Sequence, residues 1–222
     1  MIRNIVFAAL ALTTGIAAAA PVQSLTFTSD SNTAYSYTLP ASQNGGVVVG
    51  FDFSFTGTLG NNDFLGLWFG NSSNLDEAYK GPNFGVKTNC GTGANNCTND
   101  LFARTVGTDG PYVPNSNISE GQTYKLFAHL YKSGNSTSYD TIAMWVNPEA
   151  DEIASLTGAD LVATGKSNLT SFDTIGFRTA NIDNNVTMTV NGLNVAEVPE
   201  PSSVALLGLA MAGLAFTRRK RA

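Results

Sequence analysis

The sequence predicts an all-β protein in which two antiparallel sheets pack face to face as a sandwich. Between residues 47 and 56, the odd positions from Val47 to Phe55 are apolar, whereas Asp52, Ser54 and Thr56 are polar. This alternation is typical of a strand with one buried face. Similar short runs recur along the chain, separated by Gly, Asn, Asp and Pro. Many short strands of this kind indicate a sandwich.

The expected strands follow one another with little else between them. Besides 47–56, they are residues 24–28, 35–39, 63–69, 83–87, 101–106, 124–131, 141–146, 172–178 and 186–195. Residues 63–69 are apolar on both faces, which predicts a central strand that is covered on both sides or that lines a concave face. The only plausible helix is a short one at 148–156, because Glu149 and Asp151 would lie in its first turn, where acidic side chains stabilise a helix. A loop with one helical turn is the alternative.

The last expected strand changes its phase. Its apolar positions are even from Val186 to Val190 but odd at Leu193 and Val195. A β-bulge at Gly192 would turn both sets of side chains toward the same core.

The N-terminal end has the composition of an export signal. Arg3 precedes an uncharged, mainly apolar run at 5–16, and four alanines follow at 17–20. This order is that of a signal peptide, so we expect residues 1–19 to form a signal helix that is cleaved after Ala18 or Ala19. Residues 20–197 then form a single β-sandwich domain, long enough to bury a full core.

The C-terminal end combines a rigid motif, an apolar run and a basic cluster. Pro199-Glu200-Pro201 precedes the uncharged residues 202–216, for which we expect a hydrophobic helix. At 1.5 Å per residue this run is about 22 Å long, whereas the hydrocarbon core of a bilayer is about 30 Å thick. The helix is therefore short for a permanent span. The cluster that follows would stay on the cytoplasmic side, and it consists of Arg218, Arg219, Lys220 and Arg221.

Residues 198–222 resemble the PEP-CTERM sorting signal of Gram-negative bacteria. That resemblance implies that a membrane peptidase of the exosortase type recognises Pro199-Glu200-Pro201 and releases the protein from its tail. The chain would then be anchored transiently in the inner membrane before it reaches the cell surface or the extracellular matrix. An ordinary membrane anchor, with the tail retained in the mature protein, is the alternative.

The charge of the domain argues against nucleic-acid binding. Residues 20–197 carry seven basic and sixteen acidic side chains, a net charge of −9, which repels phosphate backbones. The surface is expected to be rich in Asn, Ser, Thr and Gly, which suits contact with a polysaccharide but is also common in secreted proteins.

Two cysteines, Cys90 and Cys97, are the only ones in the chain. In an exported protein they are expected to form a disulfide. A redox or metal site would need closer spacing or further Cys and His partners, which the sequence lacks.

A second resemblance, to LamG or concanavalin-A-like jelly-roll domains, is carried by five strand sequences in order, at 51–55, 65–69, 124–128, 144–148 and 175–179. It implies a jelly-roll sandwich. The sorting tail and the polar, weakly charged surface favour a surface or matrix protein that binds exopolysaccharide. The alternative, a glycoside hydrolase or lyase that acts on polysaccharide, rests on the relatives of this fold, and a purely structural role would need no ligand. Residues 190–195 lack the Asp that this group often carries in its final strand, so a calcium or sugar site is not carried over.

Candidate catalytic groups are few. His129 is the only histidine, and we expect it to be a satisfied side chain within a strand. Glu149, Asp151 and Glu152 form an acidic group that fits a helix start better than a catalytic carboxylate pair. We therefore expect no enzyme and no cofactor.

Residues 61–63 and 181–185 have the oxygen-rich composition of calcium loops without a recognised spacing, which leaves calcium as an open alternative.

Aromatic side chains are the candidates for sugar contact, because a ring face can stack on a pyranose. The candidates are Trp68, Trp145 and Tyr112. Both tryptophans lie in predicted strands, where a tryptophan is more often part of the core.

Overall fold

The computed structural model describes residues 22–72, 80–89, 98–107 and 110–198, which form eleven strands and one short helix. The strands are β1 (Val22–Phe27), β2 (Ser31–Gln43), β3 (Gly46–Thr56), β4 (Phe64–Gly70), β5 (Asn83–Lys87), β6 (Leu101–Arg104), β7 (Tyr124–Tyr131), β8 (Thr141–Val146), β9 (Leu161–Thr164), β10 (Phe172–Ala180) and β11 (Thr187–Val198). The helix α1 (Ala150–Ser155) connects β8 to β9.

The strands form two antiparallel sheets, as predicted. One sheet has six strands in the order β1-β11-β3-β7-β8-β9, and the other has five in the order β2-β10-β4-β5-β6. Every neighbouring pair is antiparallel. The fold is a two-sheet jelly-roll sandwich, and the main core lies between the sheets.

Aromatic rings from both sheets fill the middle of this core. Phe51 of β3 and Phe177 of β10 meet edge to face, with their ring centroids 5.1 Å apart. Phe27 lies 5.9 Å from Phe177, and Phe84 lies 5.4 Å from Phe51. The odd positions of β3 are buried and its even positions are partly or fully exposed, which confirms the predicted alternation.

Strand β4 is buried at every position, as its two-sided apolar sequence predicts. Leu65, Leu67 and Phe69 belong to the main core, so Phe64 and Trp68 point to the outer side of the five-stranded sheet. The Trp68 ring lies directly against Gly176, where a Cβ atom would be 2.3 Å from the indole. The close approach of this ring requires glycine at position 176.

The predicted bulge in β11 is present. The register of β11 against β3 shifts between Asn191 and Asn194, and Gly192 has a φ of 62°. Val190, Leu193 and Val195 are all buried in the main core as a result.

Replacing Gly192 with valine is expected to lower the free energy of unfolding by about 1–2 kcal/mol, the cost of a left-handed conformation for a side chain with a Cβ. Apart from the two chain neighbours, nothing lies within 4 Å of a Cβ at this position, so the loss would come from the backbone conformation and not from contact with other parts of the sandwich. Gly192→Asn, which tolerates this conformation better, should cost less. Urea unfolding of the three proteins measures the difference, and equal stability of the valine variant and the parent would contradict it.

Two elements differ from the sequence prediction. Strand β9 was not predicted because it has only four residues, and Val162 within it is 51 % exposed. Strand β2 is longer than the predicted 35–39 and continues through Pro40. Proline is tolerated there because β2 is an edge strand, with one side free of ladder hydrogen bonds.

Several predictions concern residues outside the described ranges. These are the signal helix at 1–19, the hydrophobic helix at 202–216, Pro199, Glu200, Pro201, the basic cluster, and the disulfide between Cys90 and Cys97. Within the described ranges, no helix has the length and hydrophobicity that a membrane span requires.

Candidate functional site

A groove of about 500 Å³ crosses the outer face of the six-stranded sheet; we call it the sheet groove. Strands β3, β7 and β11 form its floor, and α1 contributes one wall. Its lining residues are Val48, Gly50, Phe51, Asp52, Lys125, Phe127, Ile153, Gly192, Asn194 and Ala196.

A second, smaller apolar cluster holds the α1 wall in place. Phe127 and Trp145 lie side by side on the outer face of the sheet, with ring centroids 5.6 Å apart, and Ile153 of α1 packs against them. The Trp145 Nε1–H donates to the Thr157 carbonyl oxygen at 2.8 Å. The helix and the chain that follows it are thereby fixed to the sheet, and the groove is the space between α1 and the bulged strand β11.

At Gly50, the floor of the sheet groove carries no side chain. A Cβ there would lie 3.3 Å from the Phe127 ring, so glycine leaves this ring edge open toward the groove. Asp52 and Lys125 are paired directly across β3 and β7 and add one charge of each sign. The groove thus joins an apolar patch to polar groups, a combination typical of small-molecule sites.

Both tryptophans that the sequence analysis offered as sugar contacts are core side chains. Trp68 and Trp145 are each 1 % exposed, so neither presents a ring face to a sugar in this structure. They are buried because Trp68 lies against Gly176 and Trp145 lies beneath α1. Tyr112 is partly exposed, and its ring centroid lies 6.4 Å from that of Phe102 at the edge of the other sheet. The three candidates therefore do not form one site.

The acidic group at the start of α1 has a structural role. The backbone N–H of Glu149 donates to the Glu152 carboxylate at 2.8 Å, as in a capping box. Asp151 lies in the first turn of the same helix, where its charge is favourable. The sequence prediction of a helix start is confirmed.

The two oxygen-rich loops come together at one end of the sandwich. Asn61, Asn62, Asn181 and Asp183 line a pocket of about 520 Å³ together with Asp30; we call it the end pocket. Among the described residues, no group of three His, Cys, Asp or Glu side chains has the arrangement of a metal site.

Asp63 lies behind the end pocket and is buried. Burial raises the pKa of its carboxyl group, a hydrogen bond from the Gly60 backbone lowers it, and the nearby charges of Asp183 and Asp30 raise it further. The backbone N–H of Gly60 donates to Asp63 Oδ2 at 2.7 Å. Sequence reasoning placed Asp63 in the loop but could not show that it is removed from solvent.

His129 of β7 lies on the outer face of the six-stranded sheet. Its ring stacks on Tyr131, with ring centroids 4.6 Å apart. Burial lowers the pKa of His129 to about 4, and its Nε2 has no hydrogen-bond partner. The expectation of a satisfied histidine is therefore wrong, because the neighbours on this face are Gly46, Val48 and Ala143, which offer no partner side chain.

Comparison with known proteins identifies a sorting motif at the C-terminal end. Residues 197–221 match the PEP-CTERM protein-sorting motif. No curated protein matches the chain.

Three solved structures illustrate how distant the matches to the sandwich are. Alginate lyase Aly36B, in a variant bound to alginate tetrasaccharide, is 10% identical with a TM-score of 0.45, over 79% of this chain and 80% of that one. The PL-14 alginate lyase of Aplysia kurodai is 11% identical with a TM-score of 0.42, over 71% and 72%. The carbohydrate recognition domain of Emp46p, in its metal-free form, is 12% identical with a TM-score of 0.41, over 75% and 76%. Likenesses this distant say nothing about activity.

The sorting motif begins where the sandwich ends. Glu197 and Val198 are the last residues of β11, and they overlap the first residues of the matched motif. The motif implies export and processing by a membrane peptidase of the exosortase type. The chain therefore carries a PEP-CTERM protein-sorting motif at residues 197–221, directly after its jelly-roll sandwich.

Proposed function

We propose that the protein is a component of the cell surface or extracellular matrix that binds exopolysaccharide through the sheet groove. In this proposal the short C-terminal helix anchors the chain transiently in the inner membrane. An exosortase-type peptidase then acts at Pro199-Glu200-Pro201 and frees the sandwich. The domain binds its ligand without catalysing a reaction.

The sheet groove is the observation that carries the binding proposal. A sugar has apolar ring faces and a rim of hydroxyl groups, so a suitable site joins apolar surface to hydrogen-bonding groups. Ile153 and the edge of the Phe127 ring, which is 7 % exposed, supply the apolar surface, and Asp52, Lys125 and Asn194 supply donors and acceptors. Asn194 and Lys125 are exposed, so a polymer can lie along the groove without entering the core.

The proposal of a non-enzymatic role is supported by the roles of the acidic residues. Glycoside hydrolysis uses two carboxyl groups across one bond. In the sheet groove Asp52 is the only carboxylate among the lining residues, and it is paired with Lys125 across the strands. Glu152 accepts a hydrogen bond within the helix start.

Filling the sheet groove is expected to weaken exopolysaccharide binding at least tenfold. Asn194→Trp places a large side chain in the groove from an exposed position of β11. Thr189→Trp is the matched control, because Thr189 lies on the same strand and is partly exposed but does not line the groove. Binding of the tail-processed protein to exopolysaccharide from the producing cells, and to a glycan array, provides the measurement.

Equal binding by the two tryptophan variants would contradict a role for the groove. Release of shortened glycan chains by the parent protein, abolished in Asp52→Asn, would favour a polysaccharide-active enzyme instead. Glycan binding and the release of shortened glycan chains are measured in the same incubation.

A further inference from the structure

The last five residues of β11, at 194–198, have a different environment from the rest of the strand; we call them the terminal segment. Before the bulge, β11 lies between β1 and β3, and β1 reaches as far as the pair Val22 and Leu193. After the bulge, the described residues give β11 a neighbour on one side only. That neighbour is β3, with Asn194 opposite Gly50 and Val198 opposite Gly46.

The sequence before β1 limits any extension along the open side of the terminal segment. The expected cleavage after Ala18 or Ala19 would leave three or two residues before Val22, with Pro21 as the last of them. Pro21 has no backbone N–H and cannot donate to a ladder. Within the part of the chain that the structure describes, the backbone of the terminal segment has one unpaired edge, to which another extended chain can pair.

Few side chains hold the terminal segment to the sandwich. Val195 is the only one of the five that belongs to the main core, at 5 % exposure. Asn194 and Glu197 are exposed, and Ala196 and Val198 are half-buried. The kink at Gly192 separates the terminal segment from the doubly paired part of β11, so its end can leave β3 without moving β1.

The sorting motif allows almost no distance between the sandwich and the membrane. Only Pro199, Glu200 and Pro201 separate Val198 from the uncharged run that begins at Ser202. Three extended residues span about 10 Å. A membrane peptidase that binds the motif therefore also meets the end of β11, still paired with β3.

We propose that the terminal segment is the docking strand of the tail-removing peptidase. It leaves β3 from Val198 backward and pairs through its open backbone edge with the peptidase, as extended peptides add to a strand edge. The inference rests on the proposed processing of this chain. Binding of the strand adds no chemical step to tail removal.

A cross-strand disulfide tests the proposal in the full-length chain. Val48 and Ala196 are directly paired, and both are half-buried on the outer face, so Val48→Cys with Ala196→Cys should clamp the terminal segment to β3 in an oxidising compartment. A second clamp uses Gly46→Cys with Val198→Cys. There the two Cβ atoms would be 3.5 Å apart, within the range of a disulfide, although the His129 ring must turn aside.

The clamped chain is expected to lose its tail at least tenfold more slowly, as followed by pulse-chase and by the mass of the C-terminus. Val48→Cys alone and Gly46→Cys alone are the matched controls and should be processed at the parent rate, because both positions lie on β3, outside the terminal segment. Five Gly and Ser residues inserted between Val198 and Pro199 should restore processing of the clamped chain, because they supply a free extended strand.

Processing of the clamped chain at the parent rate, with the disulfide verified, would overturn the proposal. Slow processing that the spacer does not restore would also overturn the proposal, because the clamp would then slow processing by an effect other than withholding a free strand. Glu200→Ala separates this result from failure of the proposed function. If that variant still loses its tail, the motif-dependent processing itself is wrong, whatever the clamp does.

Discussion

Replacing Phe177 with alanine is expected to lower the free energy of unfolding by about 4 kcal/mol, the typical cost of removing a buried phenylalanine ring. Phe177 is fully buried, and it contacts Phe51 of the opposite sheet edge to face at 5.1 Å. It also lies 5.9 Å from Phe27. The truncation would leave a cavity between the sheets and remove contacts that join them.

Val162→Ala is the matched control for this truncation. Val162 is 51 % exposed on β9, at the edge of the six-stranded sheet, so its loss should change the stability by no more than about 0.5 kcal/mol. Urea unfolding of the tail-processed proteins measures both values. A loss below about 1 kcal/mol for Phe177→Ala would show that the sheets are not held together at this point.

Acidification is expected to destabilise the sandwich through His129, between about pH 6.5 and pH 4. Burial lowers the pKa of His129 from 6.5 to about 4. Above pH 6.5 the ring is neutral in both states. As the pH falls toward 4, the unfolded chain binds a proton that the folded chain does not, so stability is lost. Because His129 is only partly buried, we expect a total of about 2 kcal/mol rather than the full value of its shift.

His129→Phe should remove most of this pH dependence, because it keeps a ring against Tyr131 but cannot bind a proton. Tyr131→Phe is the matched control, since it leaves His129 in place and should keep the slope. The measurement is urea unfolding at several pH values between 4 and 7. Parallel curves for His129→Phe and the parent would contradict the assignment.

Other carboxyl groups also make the stability of the sandwich depend on pH. Burial raises the pKa of Asp140, but hydrogen bonds from Ser133, Thr141 and Ser136 together outweigh it and lower the pKa. Hydrogen bonds from Ser72 and Thr174 lower the pKa of Asp173. Their contribution to stability is present above their unfolded pKa, near 4, and is lost below it. Burial raises the pKa of Asp100, so that carboxyl group favours the fold at low pH.

Much of the fold follows from local sequence patterns. The alternation at 47–56 and the change of phase at Gly192 depend only on which side of a strand is buried, and both are confirmed. Strand β9 could not be predicted, because four residues with one exposed valine carry too short a pattern. Its place at the sheet edge comes from pairing with β8.

The sheet groove could not be predicted from the sequence. Gly50, Phe127 and Asn194 are far apart in the chain and meet through pairing of β3 with β7 and β11. Ile153 joins them because α1 folds back onto Trp145. The burial of Trp68 and Trp145 could not be predicted from the sequence either. A period-two pattern indicates which side of a strand is apolar, but not whether a further layer covers that side. By contrast, the sorting motif is continuous in sequence and can be read directly from it.

The strand directions place the end pocket and the two ends of the described sandwich at opposite ends of the sheets. The start of β1 and the finish of β11 lie together, whereas the end pocket lies beyond the opposite ends of β1, β3 and β11. The twelve residues of β11 span about 40 Å. A domain tethered through residues 202–216 would therefore stand on the end that carries both termini. The carboxylates of Asp30 and Asp183 would then lie about one strand length from the bilayer, beyond the reach of its surface potential, which salt screens within about 10 Å.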